Sequence, residues 1–340
     1  MYTPNSKWTW SFTLVAVVQA AVALALEGYI FGKFQASLRR NAESTQQSRT
    51  IPTYLAVFMF GFIYQLVLVY DALRLKNTIQ VIGLCLYNVG ILIYAAIQMD
   101  QIKDAVSQLD ESQDIVPGFW EIVKPILITL PCLMALGTVL LSFIAWKLYD
   151  EFAWTIYKHI SADLRLKRRY LTYQIYIALL KFDFFFFLGF TVQFLVIIHN
   201  TSNAEYYLTI AALPITLILL LLAAYWTRKE SVAGMICIII IYFAALAYFL
   251  FKLVRMYGAD RGRVADYLPA RRSLTSFAVI TIMLLVVTII IACWCTHNFN
   301  KGLKPHISRR KPGAGNHLDK MYTTEMPALS GPAPSRMTID

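Results

Sequence analysis

The sequence predicts an all-α polytopic membrane protein, a transmembrane helix bundle of about eight spans. Two observations carry that expectation. Of its 340 residues, 58% are apolar and only 15% are charged, whereas soluble domains carry roughly a quarter charged residues. The apolar residues also form long stretches of about 20 residues, enough at 1.5 Å per residue to cross about 30 Å of hydrocarbon.

Eight segments qualify: 9–31, 52–73, 78–99, 125–148, 175–198, 206–226, 233–254 and 274–294. Each is apolar all round, which separates a span from an amphipathic surface helix. Trp8, Trp10, Trp146, Tyr149 and Trp226 stand near span ends, where aromatic rings anchor at the headgroups. Pro131 and Pro214 fall inside spans, where neighbouring helices can satisfy the freed backbone groups, and predict kinks.

The first segment admits two readings. Ala21-Val-Ala23 and Ala23-Leu-Ala25 resemble a signal-peptide cleavage pattern behind Lys7. The apolar run is longer than a signal core and resumes after Glu27, which favours retention. Cleavage would leave seven spans and change no later orientation.

Lysines and arginines flanking the spans number 15 on the side of both termini and 11 on the other, which predicts cytosolic termini. The acidic 100–123 loop, with Asp100, Asp104, Asp110, Glu111, Asp114 and Glu121, suits the opposite side. Within it Ile102, Val106, Leu109 and Gln113 keep helical spacing and predict a short interfacial helix. The sequon at Asn200 also falls on that side, too near the membrane to expect modification. Residues 1–297 read as the bundle and 298–340 as a disordered, basic cytosolic tail.

The net charge of +11 sits beside the spans rather than along one soluble face, so the expected partner is the lipid bilayer and not nucleic acid. All five cysteines lie within or at the edge of spans, so no disulfide framework is expected. Cys293 and Cys295, ahead of the basic tail, sit where palmitoylation is permitted; plain core thiols are the simpler reading.

Enzymatic motifs are missing. The five histidines are isolated, which leaves no metal site, and there is neither a phosphate-binding glycine loop nor a GxSxG elbow. A non-enzymatic protein without cofactor is expected.

The fifth span is the most informative. Lys181 and Asp183 lie inside it, each costing roughly 2.5–3.5 kcal/mol at mid-membrane on an insertion scale. Two residues apart is about 200° of helix rotation, so each must find its own partner. Asp71 and Lys147 lie near the same ends of their spans, predicting a polar cluster of Asp71, Lys147, Lys181 and Asp183. Glu27 and Lys252 would pair at the opposite end. Satisfied ion pairs and snorkelling lysines are the structural alternative to a ligand site. Gln19, Gln65, Asn88 and Gln193 read as interhelical hydrogen bonders, and Phe184–Phe187 as packing and lipid contact. Arg165, Lys167, Arg168 and Arg169 precede the span and face anionic lipid.

The blocks RLKRRYLTYQIYIALLKFDFFFFLGFTVQF from Arg165 and LYNVGILIYAAIQ from Leu86 resemble a fungal family of uncharacterised Golgi apparatus multi-pass membrane proteins. The resemblance runs over most of the membrane region and excludes the tail. It implies a Golgi location and transfers no activity, binding residue or protein partner. Three functions then compete: a small-solute or ion transporter, a trafficking scaffold acting through cytosolic loops, and a receptor-like protein in the seven-span form.

Overall fold

The computed structural model describes residues 6–39, 46–159, 164–197, 203–258 and 270–300. Among these are eight helices: α1 (Lys7–Ser37), α2 (Gln46–Arg74), α3 (Thr78–Glu111), α4 (Phe119–His159), α5 (Leu164–Ile197), α6 (Asn203–Lys229), α7 (Val232–Tyr257) and α8 (Arg271–His297). Each is long and apolar enough to cross a membrane. Polar residues punctuate them. Ser6 accepts from the backbone of Trp8 and forms a capping box with Thr9. Asn77 and Ser231 cap α3 and α7, and Gly258 closes α7.

The helices form two four-membered rings. In the first, α1 packs on α2, α2 on α3, α3 on α4, and α4 back on α1; α5 to α8 repeat the pattern. The rings meet where α5 packs on α2 and α3, and α8 on α3. That junction makes α5 the central helix.

Its aromatic run explains how the junction closes. Phe182 and Phe186 lie on Gly83 and Gly90 of α3; a Cβ on Gly90 would stand 2.9 Å from the Phe186 ring. Phe185 meets Tyr87 edge-on at 4.9 Å between centroids. Phe182, Phe185 and Phe186 are therefore core, while Phe184 and Phe187 are only half-buried.

The outer surface is apolar. Leu86, Val139, Leu221 and Val254 are more than half exposed, a pattern that suits lipid and not water. Exposed Trp8, Trp10, Trp146 and Trp294 gather at one end. At that end the hydroxyl of Ser6 donates to Glu151 across 2.6 Å, tying α1 to α4. The first segment is thus an integral wall of its ring.

Three expectations change. The acidic loop holds no separate helix: α3 runs unbroken to Glu111, because neither proline nor glycine interrupts residues 99–111. Ile102, Val106 and Leu109 are buried along it, but Gln113 lies past the end with a left-handed φ of 58°. An antiparallel bridge between Leu38 and Ile115 and an edge contact of Phe34 with Phe119 close this extramembrane cap. At the other face, α4 continues to His159 and α5 starts at Leu164, so most of the basic loop is helix. The last bundle residues extend past 297, since Phe299 is buried in the second ring. The sequon at Asn200 and the tail from residue 301 lie outside the described residues.

Candidate functional site: two polar seams on α5

The 200° separation of Lys181 and Asp183 places them on different seams. Lys181 faces α2 and α3. Its ammonium forms a salt bridge with Asp71 and donates to Gln80 Oε1 at 2.9 Å. Gln80 Nε2 donates in turn to Asp71 at 3.0 Å and to the Leu68 carbonyl at 3.1 Å. Tyr64 donates its hydroxyl to the Lys181 carbonyl at 2.7 Å. Each charged group here has an opposite charge and a hydrogen bond, and both Lys181 and Asp71 are half-buried rather than sealed. The triangle ties the end of α2 and the start of α3 to the middle of α5.

Asp183 faces α8. It is 7% exposed, and Oδ2 accepts from the Thr288 hydroxyl at 2.7 Å. Oδ1 is buried and has no hydrogen-bond partner among the described residues. No cation pairs with it there. Two buried tyrosines share this seam and interact electrostatically with Asp183. They are Tyr176, two turns earlier on α5, and Tyr242 of α7; their hydroxyls lie 3.1 Å apart.

The predicted four-residue cluster is therefore not assembled. Lys181 and Asp71 come together, Asp183 turns away by helix geometry, and Lys147 stays on α4, which packs on α1 and α3 and not on this part of α5. Lys147 lies over the Trp146 ring at 4.6 Å, as a snorkelling lysine would. Glu27 and Lys252 do not pair either, because α1 and α7 belong to different rings. Gln98 Nε2 donates to both Glu27 oxygens at 3.2 and 3.3 Å. The Lys252 ammonium stacks on Phe194 at 3.8 Å and Tyr248 at 5.6 Å.

Gln19 and Asn88 do bridge helices: Gln19 Nε2 donates to Asn88 Oδ1 at 3.1 Å, and Asn88 donates to Thr138 at 2.9 Å. Gln193 donates to the Tyr94 hydroxyl at 3.0 Å and accepts from Ser273 at 2.9 Å. Both nitrogen and oxygen of Gln65 are buried without such a partner among the described residues. Cys295 is buried in the second ring and Cys293 points outward. Gln80, Thr288, Tyr176 and Tyr242 escaped the sequence reading. The usable signal was the spacing of Tyr176 and Asp183, seven residues apart and so on one face of an otherwise apolar helix.

What the second seam can do follows from that inventory. A carboxylate accepts and does not donate, and here one of its two oxygens is buried with no partner among the described residues. Among the described residues no group of three or more His, Cys, Asp or Glu gathers as a metal site would require.

No family model and no solved structure matches the chain. A "UPF0658 Golgi apparatus membrane protein" of Schizosaccharomyces pombe is 33% identical over 317 residues, covering 87% of this chain and 88% of the relative. Its name states a membrane and a compartment, both consistent with eight apolar helices. On that coverage, the chain belongs to the UPF0658 family of Golgi apparatus membrane proteins.

Proposed function

We propose that this protein is a transporter of a small solute or ion in the Golgi membrane, not an enzyme, and that Asp183 holds a positively charged cargo. One observation carries the reading: a buried carboxylate in a membrane span whose Oδ1 has no partner among the described residues. Ionisable groups inside spans are costly and by default functional, and a satisfied structural ion pair would look like Asp71–Lys181 instead. Thr288 orients the carboxylate, and the Tyr176–Tyr242 pair supplies hydroxyls to a passing cation. Both termini face the cytosol in this reading, which the Lys/Arg bias supports.

The test is complementation in fission yeast cells lacking the relative, with solute and cation profiling of Golgi-enriched membranes. Asp183→Asn at wild-type abundance and location is expected to reproduce the full deletion profile. A wild-type profile from that variant would refute the reading.

A scaffold role is the second reading, supported by the helical extension of α5 that carries Arg165, Lys167, Arg168 and Arg169. Those charges also suit anionic lipid headgroups. Neutralising all four would remove partners or lipid binding under this reading, and would leave the profile of transported species unchanged under the first.

A further inference from the structure

Glu27 is a second buried carboxylate within a span, in the opposite ring from Asp183; Glu230, also buried, sits in the α6–α7 turn and accepts from the Asn300 backbone N–H at 3.0 Å. Glu27 is 0% exposed on α1. Its oxygens share a single nitrogen, Gln98 Nε2 of α3, at 3.2 and 3.3 Å. No lysine, arginine or histidine pairs with it among the described residues.

The titratable neighbour that Glu27 faces on α3 is Tyr94, one turn before Gln98. From α2 the nearest link is Tyr54, whose carbonyl accepts from the Tyr94 hydroxyl at 3.1 Å. Among the described residues of α4, packed on the other flank of α1, no charged group forms an ion pair with Glu27.

A second atom completes the picture. Gln98 is 1% exposed, and its Oε1 is buried with no hydrogen-bond partner among the described residues. An orphaned buried carbonyl and an uncompensated buried carboxylate, on the same two side chains, are each unfavourable. One proton removes both penalties. As an acid, Glu27 gains an O–H that can donate to the Gln98 carbonyl, while the Gln98 amide still donates to the acid carbonyl. Acid and amide then pair reciprocally, after a small turn of the amide.

A metal cation fits less well. Calcium and magnesium take six or more oxygens, whereas Glu27 and Gln98 together offer three. The amide nitrogen also occupies the cleft between the carboxylate oxygens where a cation would seat.

We propose that Glu27 and Gln98 form an intramembrane proton-binding site in the first ring, separate from the cargo site in the second. The carboxylate takes one proton from the aqueous phase and later returns it; only the O–H bond is made and broken. Its use as the coupling ion rests on the transporter reading, but the site itself does not.

Infrared difference spectra of the full-length protein in phosphatidylcholine vesicles, recorded across a pH step, test it without a known cargo. The carbonyl band of a buried protonated carboxylic acid should change with the step. Glu27→Gln should abolish that band and Gln98→Met should shift its frequency, because the amide partner is lost. Asp183→Asn should leave it in place. If Glu27→Gln does not yield a monodisperse protein, the shift in Gln98→Met carries the test. A wild-type spectrum without the band, a band that survives Glu27→Gln, or one unmoved by Gln98→Met overturns the proposal. A Glu27 band that behaves as expected beside a fully functional Asp183→Asn would sink the cargo reading alone.

Discussion

On the α2–α3 face of α5, Lys181 meets Asp71 and Gln80 beside the α2–α3 turn, half-buried, with every charge matched. On the α8 face, two residues along, Asp183 is sealed in and meets one threonine hydroxyl. Both seams spend polar groups inside an apolar helix, but only the first closes its own bonds. A closed network fixes where helix ends sit. An open one keeps accepting capacity for something that is not part of the chain. The difference is what the proposed cargo role of Asp183 rests on: a count of bonds, without reference to sequence similarity.

Substitutions can break that comparison. The largest effect should come from Asp183→Asn, which keeps the shape and the Thr288 contact but removes the charge. It should abolish complementation while leaving thermal stability in detergent at or above wild type. Lys181→Met should do the reverse. Stranding Asp71 and Gln80 should cost about 1–3 kcal/mol, less than for a fully buried pair because both charges are partly solvated. Replacing Asp71 by leucine as well should recover part of that loss in a double-mutant cycle on chemical unfolding.

Gly90→Ala probes the packing behind both seams. The new methyl would press on the Phe186 ring, which is 4% exposed and hemmed in by Tyr87 and Phe277. A loss of about 1–3 kcal/mol is expected, seen as a lower melting midpoint. Thr288→Val strands the second oxygen of the Asp183 carboxylate and should cost about 1–3 kcal/mol, with transport reduced and not abolished.

Much of the fold was legible because lipid leaves such a plain record. Eight long apolar runs became eight helices, and the two-residue spacing of Lys181 and Asp183 foretold that they would face apart. The neighbours were not legible. Glu27 and Lys252 looked like a pair from their depth alone, yet α1 and α7 sit in different rings, and depth says nothing of ring membership. Lys147 failed because α4 packs on α1 and α3 and stands away from the α2–α5 contact where Asp71 and Lys181 meet. Gln80 and Gln98 were overlooked because a glutamine in a span reads as generic glue until its partner is known. Tyr176 and Tyr242 were missed because a tyrosine body is as apolar as phenylalanine. The 149–174 segment read as loop because it is charged, although its residues are sound helix formers and α4 and α5 extend through most of it.

The central claim is that the two charges on α5 do different jobs, and the melting midpoints of purified Asp183→Asn and Lys181→Met against wild type test it most directly. The account predicts a clear drop for Lys181→Met and no drop for Asp183→Asn. An Asp183→Asn protein that melts as low as Lys181→Met would show that Asp183 is also a structural charge, and would contradict the account.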